Sequence, residues 1–452
     1  MMKKCLLFAF ILAAGLTANA QEKVYVCQGT NYTEFAISSV GDITFSADGS
    51  TVTIGENGTF KTADVDSITF ALPSFAGVEK PGEKEILIAY NGSSATVTMG
   101  SAVKEVKSTI NGANVTLSSS TDDTEYTYKV SGTTSDGSLL IKGDYKLTLD
   151  LNGCDITSTT GAALNVDCGK RIAIILEDGT TNTFVDCVGG SQKACFVVDG
   201  HVEFEGGGTL NITGNTNHAM KIGEYLEFKK TTGAINILKA VSDGIHCGKG
   251  KVNNDNNYFE MKGGALTVKN VGSDCVDSDD YGVIKIKGGT LDLTVPKDGK
   301  GLKCDSTFTM TDGTINFTCA EDLANGIKTN YNGFFNGGTI TGTVSGNGAK
   351  GINGNKSGTG DPVQGGGNLY FNGTNVTLTV SGGNYVEGTE TTKCHGIRAE
   401  QIFTQTGGTI NITVTNSDAK GAVAGNQEYK KSGVNPTFSI KGGTLNVVSA
   451  SN

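Results

Sequence analysis

The chain of 452 residues has no tryptophan, five prolines and four histidines, and beyond its first twenty residues no run of 18 apolar positions. The last shortage excludes a membrane-spanning helix from everything after the N-terminus. Scarce proline beside 65 glycines, with no Gly-X-Y period, excludes a collagen-like rod and leaves glycine as turn punctuation in a compact fold. The missing tryptophan removes the broadest aromatic platform for a sugar ring. With no C-x-x-C pair and so few histidines, metal or nucleophilic use of the cysteines is not indicated. Positive charge is also short: 36 basic against 46 acidic side chains give −10, which does not mark a nucleic-acid-binding protein. Local lysines or bridging cations can still hold an anionic ligand.

What the chain does have is a recurring glycine doublet. Its second residue, or the glycine of the Thr-Gly, Asp-Gly and Asn-Gly pairs that stand in its place at 233, 313 and 373, is Gly208, Gly233, Gly264, Gly289, Gly313, Gly338, Gly373, Gly408 and Gly443, at intervals of 25, 31, 25, 24, 25, 35, 35 and 35. A basic unit of 24 to 25 residues with insertions of 6 or 10 is the signature of a solenoid. Weaker markers at Gly179 and Gly153 carry the series back, so the repeat is expected to begin by about Leu139. Before each doublet stands an apolar residue, among them Phe228, Phe259, Ile284, Phe308, Phe403 and Phe438. After it come alternating pairs such as Leu210 and Ile212 or Leu291 and Leu293, a strand signal. A third short strand follows in segments such as DGIHCG (243–248), KGLKCD (300–305) and HGIRAE (395–400).

Three short strands in ~25 residues leave no room for a helix, and each strand needs a partner ~4.8 Å away. Stacked repeats supply it, predicting an all-β fold: a right-handed parallel β-helix with three long sheets and Phe over Phe in the core. Residues 1–20 have a basic start, a short apolar stretch and an Ala-Asn-Ala end, as in a cleavable signal peptide. The protein is therefore expected to be exported, to the extracellular space, cell surface or periplasm. Residues 21–77 read as a small β module, 78–84 as a linker and 85–452 as the β-helix. Ten cysteines follow the signal; Cys247 and Cys304 fall two repeats apart, ~9.6 Å, too far for a disulfide, so they are read as small buried apolar residues.

Aligning the third strands yields columns. Asp243 and Asp274 lie in register, followed by Lys300, Asn325, Lys350, His395 and Lys420; Asp277 and Asp279 stand close by. Clustered carboxylates are what calcium needs, the alternative being a solvated acidic turn neutralised by lysine. A second, outward column runs Lys221, His246, Asp277, Lys303, Lys328, Asn353 and Arg398. Such a row can track a sugar chain, its cations meeting uronate carboxylates, or can be an ordinary wet sheet face. Tyr258, Tyr281, Tyr331, Phe334, Tyr370 and Tyr385 are further candidates, for stacking on sugars.

The segments DGSLLIKGDYKLTLDLNG (136–153), GAALNVDCGKRIAIILEDGTTNTFVD (161–186), GGGTLNITGNTNHAMKI (206–222) and SDGIH (242–246) resemble the bacterial carbohydrate-binding domain family. That resemblance covers about 80% of the chain, from Ile86 onward. It implies an extracellular right-handed β-helix of pectate-lyase-like shape that binds cellulose-like or acidic sugars with calcium. The family's DGI element matches Asp243, Gly244 and Ile245, and its H-A-I element matches His218 and Ala219 with Met220 in place of Ile. The next repeat departs, with Asp274-Cys275-Val276.

The expectation is thus a non-catalytic polysaccharide-binding protein. Calcium would sit on Asp243, Asp274, Asp277 and Asp279, and sugar contacts would come from His218, Lys221, His246, Lys303 and Lys328. The alternatives are a calcium-dependent lyase acting on uronate-containing glycan, with Lys300 or Lys303 as base, and a surface scaffold or adhesin.

Overall fold

The structure is a computed structural model that describes residues 23–28, 31–55, 58–70, 80–121, 123–248, 257–279, 281–355, 366–425 and 435–449. The expected signal peptide lies outside these residues. The chain divides into two compact units, Met1–Lys80 and Pro81–Asn452.

In the first unit, Lys23–Gln28 pairs antiparallel with both Asn31–Ala36 and Ser67–Thr69. A second three-stranded sheet is built from Ile43–Phe45, Thr51–Ile54 and Gly58–Lys61. Val24, Val26, Val40, Val52 and Ile54 form its core. Among the described residues its one α-helical segment is the four-residue Ile37–Val40. No helix among the described residues is long and apolar enough to cross a membrane.

The second unit is all-β. It opens with two antiparallel hairpins, Glu85–Asn91 with Ser94–Met99 and Val106–Asn111 with Ala113–Ser119. From there each described segment of the two long sheets pairs in parallel with the one a repeat further on. The first large apolar residue after the marker glycine, two places on and three at Val376, traces this: Leu210, Ile235, Leu266, Leu291, Ile315, Ile340, Val376, Ile410 and Leu445 are register partners in succession. All but Leu445 are buried, each worth about 1.5–3 kcal/mol of transfer free energy.

Three details differ from the sequence-based expectation. First, the parallel ladder starts where the β-helix was expected to begin, at residue 85, but ahead of the glycine markers that suggested Leu139 as the first repeat: Glu85–Asn91 already pairs with Tyr126–Thr134 and Ala113–Ser119 with Gly137–Lys142. The doublet marks a corner, and these first turns bend without one. Second, the described residues form two long sheets, of 13 and 22 strands. Val283–Thr294 and Phe308–Cys319 run through their doublets unbroken, because Gly289 (φ 81°) and Gly313 (φ 94°) bend in the left-handed region while pairing continues, joining two ladders into one sheet. Third, Phe228 is not above Phe259: Leu226 pairs with Phe259, and Phe228 with Met261. The corner after Phe228 is two residues longer, so the bulky ring shifts to the neighbouring inward position and meets Phe259 edge-on, 5.5 Å between centroids. A similar exchange recurs where Gly333 pairs with Phe308 and leaves the space to Phe335, beside Met310.

All ten described cysteines are free and buried; Cys247 and Cys304 stand on either side of Ser278 in the register.

Candidate functional site

The 13-stranded sheet carries the third strand of each repeat. Alternation turns Met220, Ile222, Ile245, Cys247, Leu302, Cys304, Ile327, Ile352 and Ile397 into the core, and sends the residues between them outward. The observed register gives the outward row Lys221, His246, Asp277, Lys303, Lys328, Asn353, Arg398. The flanking row Lys300, Asn325, Lys350, His395, Lys420 is equally continuous. The face changes character at Lys303.

On the N-terminal side lies a buried cluster. Asp243 Oδ2 is 3.1 Å from His218 Nδ1 and 3.0 Å from His246 Nδ1. Its Oδ1 accepts the backbone N–H of Asp274 at 3.0 Å, and Asp274 Oδ1 in turn accepts that of Lys300 at 2.9 Å. Each aspartate therefore fastens the next turn of the chain. His246 also lies 3.6 Å from Asp277 and 3.8 Å from Asp279. Lys303 Nζ stands among the remaining carboxylates, 3.0 Å from Asp277, 3.3 Å from Asp279 and 3.7 Å from Asp274.

Burial would raise the Asp243 carboxyl, but hydrogen bonds from His218, His246 and the Asp274 N–H outweigh it and hold the group well below the usual carboxylate range. Burial pushes Asp277 up to about 7 against the pull of Lys303. Asp274 is likewise raised by burial, and His246 is lowered by it. Lys303 is raised despite burial, because three aspartates surround its ammonium.

The four aspartates expected to hold calcium are thus brought together, with one oxygen each of Asp243, Asp274 and Asp277 within 4.8 Å of one another. Lys303, expected to meet sugar, supplies the counter-charge of Asp274, Asp277 and Asp279, and beside that ammonium the set as arranged does not fit calcium. His218 and His246, also expected at sugar, face Asp243. Lys221 donates to the Gly248 carbonyl.

On the C-terminal side the same two rows line a cleft of about 720 Å³ that includes Lys300, Lys328, Lys350, His395, Arg398 and Lys420. Among its described lining residues the one carboxylate is Asp298. Arg398 is fixed by Glu400 at 2.5 Å and donates to Asn353 at 3.2 Å and Asn355 at 3.3 Å. Lys350 donates to the Gly348 carbonyl at 2.9 Å, and burial together with Arg398 pushes it down to about 8. Burial, Lys300 and Lys303 lower Lys328. His395 is pushed down to about 3 by burial, then by Lys350 and Arg398, and is neutral; among the described residues its buried Nδ1 meets no partner of good hydrogen-bond geometry. Cations that depress one another in a half-buried cleft describe a site short of an anion. Of the residues singled out in the sequence for sugar, Lys328 lies here. Asn353 and Arg398, from the outward row read as able to track a sugar chain, lie here too; Lys350, His395 and Lys420 stand in the flanking column without being singled out for sugar, and the signal was the change from acidic to basic along each column.

The expected aromatic platforms are elsewhere. Tyr258 stacks on Tyr225 at 4.6 Å beneath the Lys285 ammonium, and Phe334 stacks on Tyr370 at 5.2 Å. Both pairs belong to the 22-stranded sheet or its turns.

Three comparisons bear on this site. A family model described as "Carbohydrate-binding domain-containing protein" matches residues 111–382. A protein of the same description from Acetivibrio thermocellus is 28% identical over 120 residues, 24% of this chain and 41% of that protein, so the match spans about two fifths of that relative. A solved structure titled as a polysaccharide lyase-like protein from C. thermocellum, a gadolinium derivative, aligns over 80% of this chain and 97% of its own. Its identity is 15% and its TM-score 0.32, a likeness that carries no argument.

Proposed function

The chain belongs to the carbohydrate-binding domain-containing protein family, whose model takes in more than half its length, and from that membership we propose that it is a non-catalytic binding protein for an acidic polysaccharide. The observation that carries the reading is the cleft's surplus of positive charge: Lys300, Lys328, Lys350, Lys393 and Lys420 line it with Asp298 as the one carboxylate among its described lining residues, beside Arg398, which is paired with Glu400. Uronate carboxylates are suited to such a row, because ammonium and guanidinium groups succeed one another at the strand spacing of ~4.8 Å. Hydroxyl groups of the sugar would meet Asn325, Asn353 and His395.

In this reading the stacked repeats form a right-handed parallel β-helix, the hand that strand twist favours. Residues 1–20 direct export, which places the cleft outside the cytoplasm. Calcium enters as a competitor of Lys303 for Asp274, Asp277 and Asp279.

One observation favours a second reading. Lys350, held at about 8 beside Arg398, has the acidity of a general base working near neutral pH, the requirement for abstracting the α-proton of a uronate. Release of unsaturated uronate ends from a polyuronate would establish a lyase.

Affinity electrophoresis of the chain through gels containing polygalacturonate, a soluble cellulose derivative or no polymer, with calcium or chelator, tests the proposal. Retardation by polygalacturonate that persists in chelator and is lost in Lys350→Met with Arg398→Met supports it. Equal mobility in every gel overturns it.

A further inference from the structure

We propose that His218, Asp243 and His246 form a site for a divalent transition-metal ion such as Zn²⁺, separate from the cationic cleft. Their Nδ1, Oδ2 and Nδ1 atoms all lie within 4.8 Å of one another. The two nitrogens are 3.1 and 3.0 Å from the shared carboxylate oxygen. Ligand bonds of about 2.1 Å in the tetrahedral geometry that zinc prefers put neighbouring donors about 3.4 Å apart, so the two observed spacings need open by only about 0.3 Å to hold the ion. Two imidazoles with one carboxylate also select the ion. Calcium prefers an all-oxygen shell, whereas nitrogen donors suit zinc and its neighbours.

Two further observations point to an ion here. Asp243 is 5% exposed, and among its described contacts no ammonium or guanidinium group reaches it; Lys303 serves Asp274, Asp277 and Asp279 instead. A buried carboxylate facing two imidazoles lacks a fixed counter-charge. In addition, His218 Nδ1 is 3.3 Å from the Asp243 backbone N–H, a donor, and 3.1 Å from Asp243 Oδ2, an acceptor. A neutral ring can satisfy one of these, and donating to the carboxylate, the arrangement that lowers the Asp243 carboxyl, turns its N–H toward another donor. A cation in place of the ring protons would engage both nitrogens and the oxygen at once. The two rings lie 4.7 Å apart, tilted by 31°, with both Nδ1 atoms converging on one oxygen.

The test uses the full chain stripped with chelator and then dialysed against Zn²⁺, with bound metal counted by mass spectrometry. One zinc per chain is expected, undisplaced by a hundredfold excess of Ca²⁺. His218→Ala and His246→Ala should each weaken retention by more than about tenfold, while His201→Ala, a histidine paired instead with Glu224, should leave it unchanged. Because a variant can fail through misfolding, Co²⁺ added to the unaltered protein is a second readout: visible absorption bands appearing at one equivalent are expected. Absence of stoichiometric zinc and of cobalt bands overturns the proposal, as does displacement by equimolar calcium or retention unaffected in both histidine variants. Glycan retention is a separate reading, so loss of one does not decide the other.

Discussion

Lys303 sets the charge balance of the outward face, and its removal is the sharpest single test at the scale of a residue. Lys303→Met leaves Asp274, Asp277 and Asp279 without their ammonium, and unpairing a buried charge costs about 3–5 kcal/mol. The urea midpoint should fall accordingly. Calcium should restore part of the loss in the variant and change little in the unaltered protein. Lys350 gives the opposite case. Its folded pKa, about 8, is below the unfolded value of ~10.4, so at pH 7 folding carries the cost of a confined charge. Between those two values the unfolded chain holds the extra proton, and stability rises with pH. Lys350→Met should therefore be more stable than the parent at pH 7, with the difference shrinking toward pH 10 in paired thermal melts. Glycan retention should fall as pH passes 8. The in-register neighbours of both lysines were legible in the sequence, since the column Lys221, His246, Asp277, Lys303 follows from repeat spacing. Depth was not: His246 points out of its sheet yet is 8% exposed, because neighbouring side chains of adjacent turns close over it. For the same reason the sequence separated His218 and His246 from the aspartates that they contact.

At the scale of the element, the corner glycines decide what each strand can do. Gly264 has φ 79°, and a Cβ there would come within 2.6 Å of the Thr232 carbonyl. Gly179 has φ 75° with nothing within 4 Å. Gly179→Ala should cost only the left-handed conformation, about 1–2 kcal/mol. Gly264→Ala should cost clearly more, since stacked backbone must also shift; denaturant midpoints of the two variants check this. The doublet spacing made the strand register readable because every turn repeats the same corner. It failed where the corner changed length, as after Phe228, and where the first turns bend without a doublet. The number of sheets was hidden for a related reason: whether a glycine corner breaks a ladder depends on pairing with the turns above and below.

Across the second unit, charge is segregated along one sheet, with aspartates and histidines toward the N-terminal side and lysines and Arg398 beyond Lys303. A chain of net charge −10 that still places five lysines and Arg398 around one cleft is arranged to attract a polyanion there. Attraction of that kind is screened over about 10 Å at 0.1 M salt, so retention should weaken as ionic strength rises. The most direct measurement is calorimetric titration of the chain with a defined oligogalacturonide at pH 7 and low salt, for the parent and for Lys350→Met with Arg398→Met. Binding by the parent, weakened more than about tenfold in the double variant, is the predicted result. Equal affinity in the two proteins, or no heat from either, would contradict the cleft as the site of an acidic glycan.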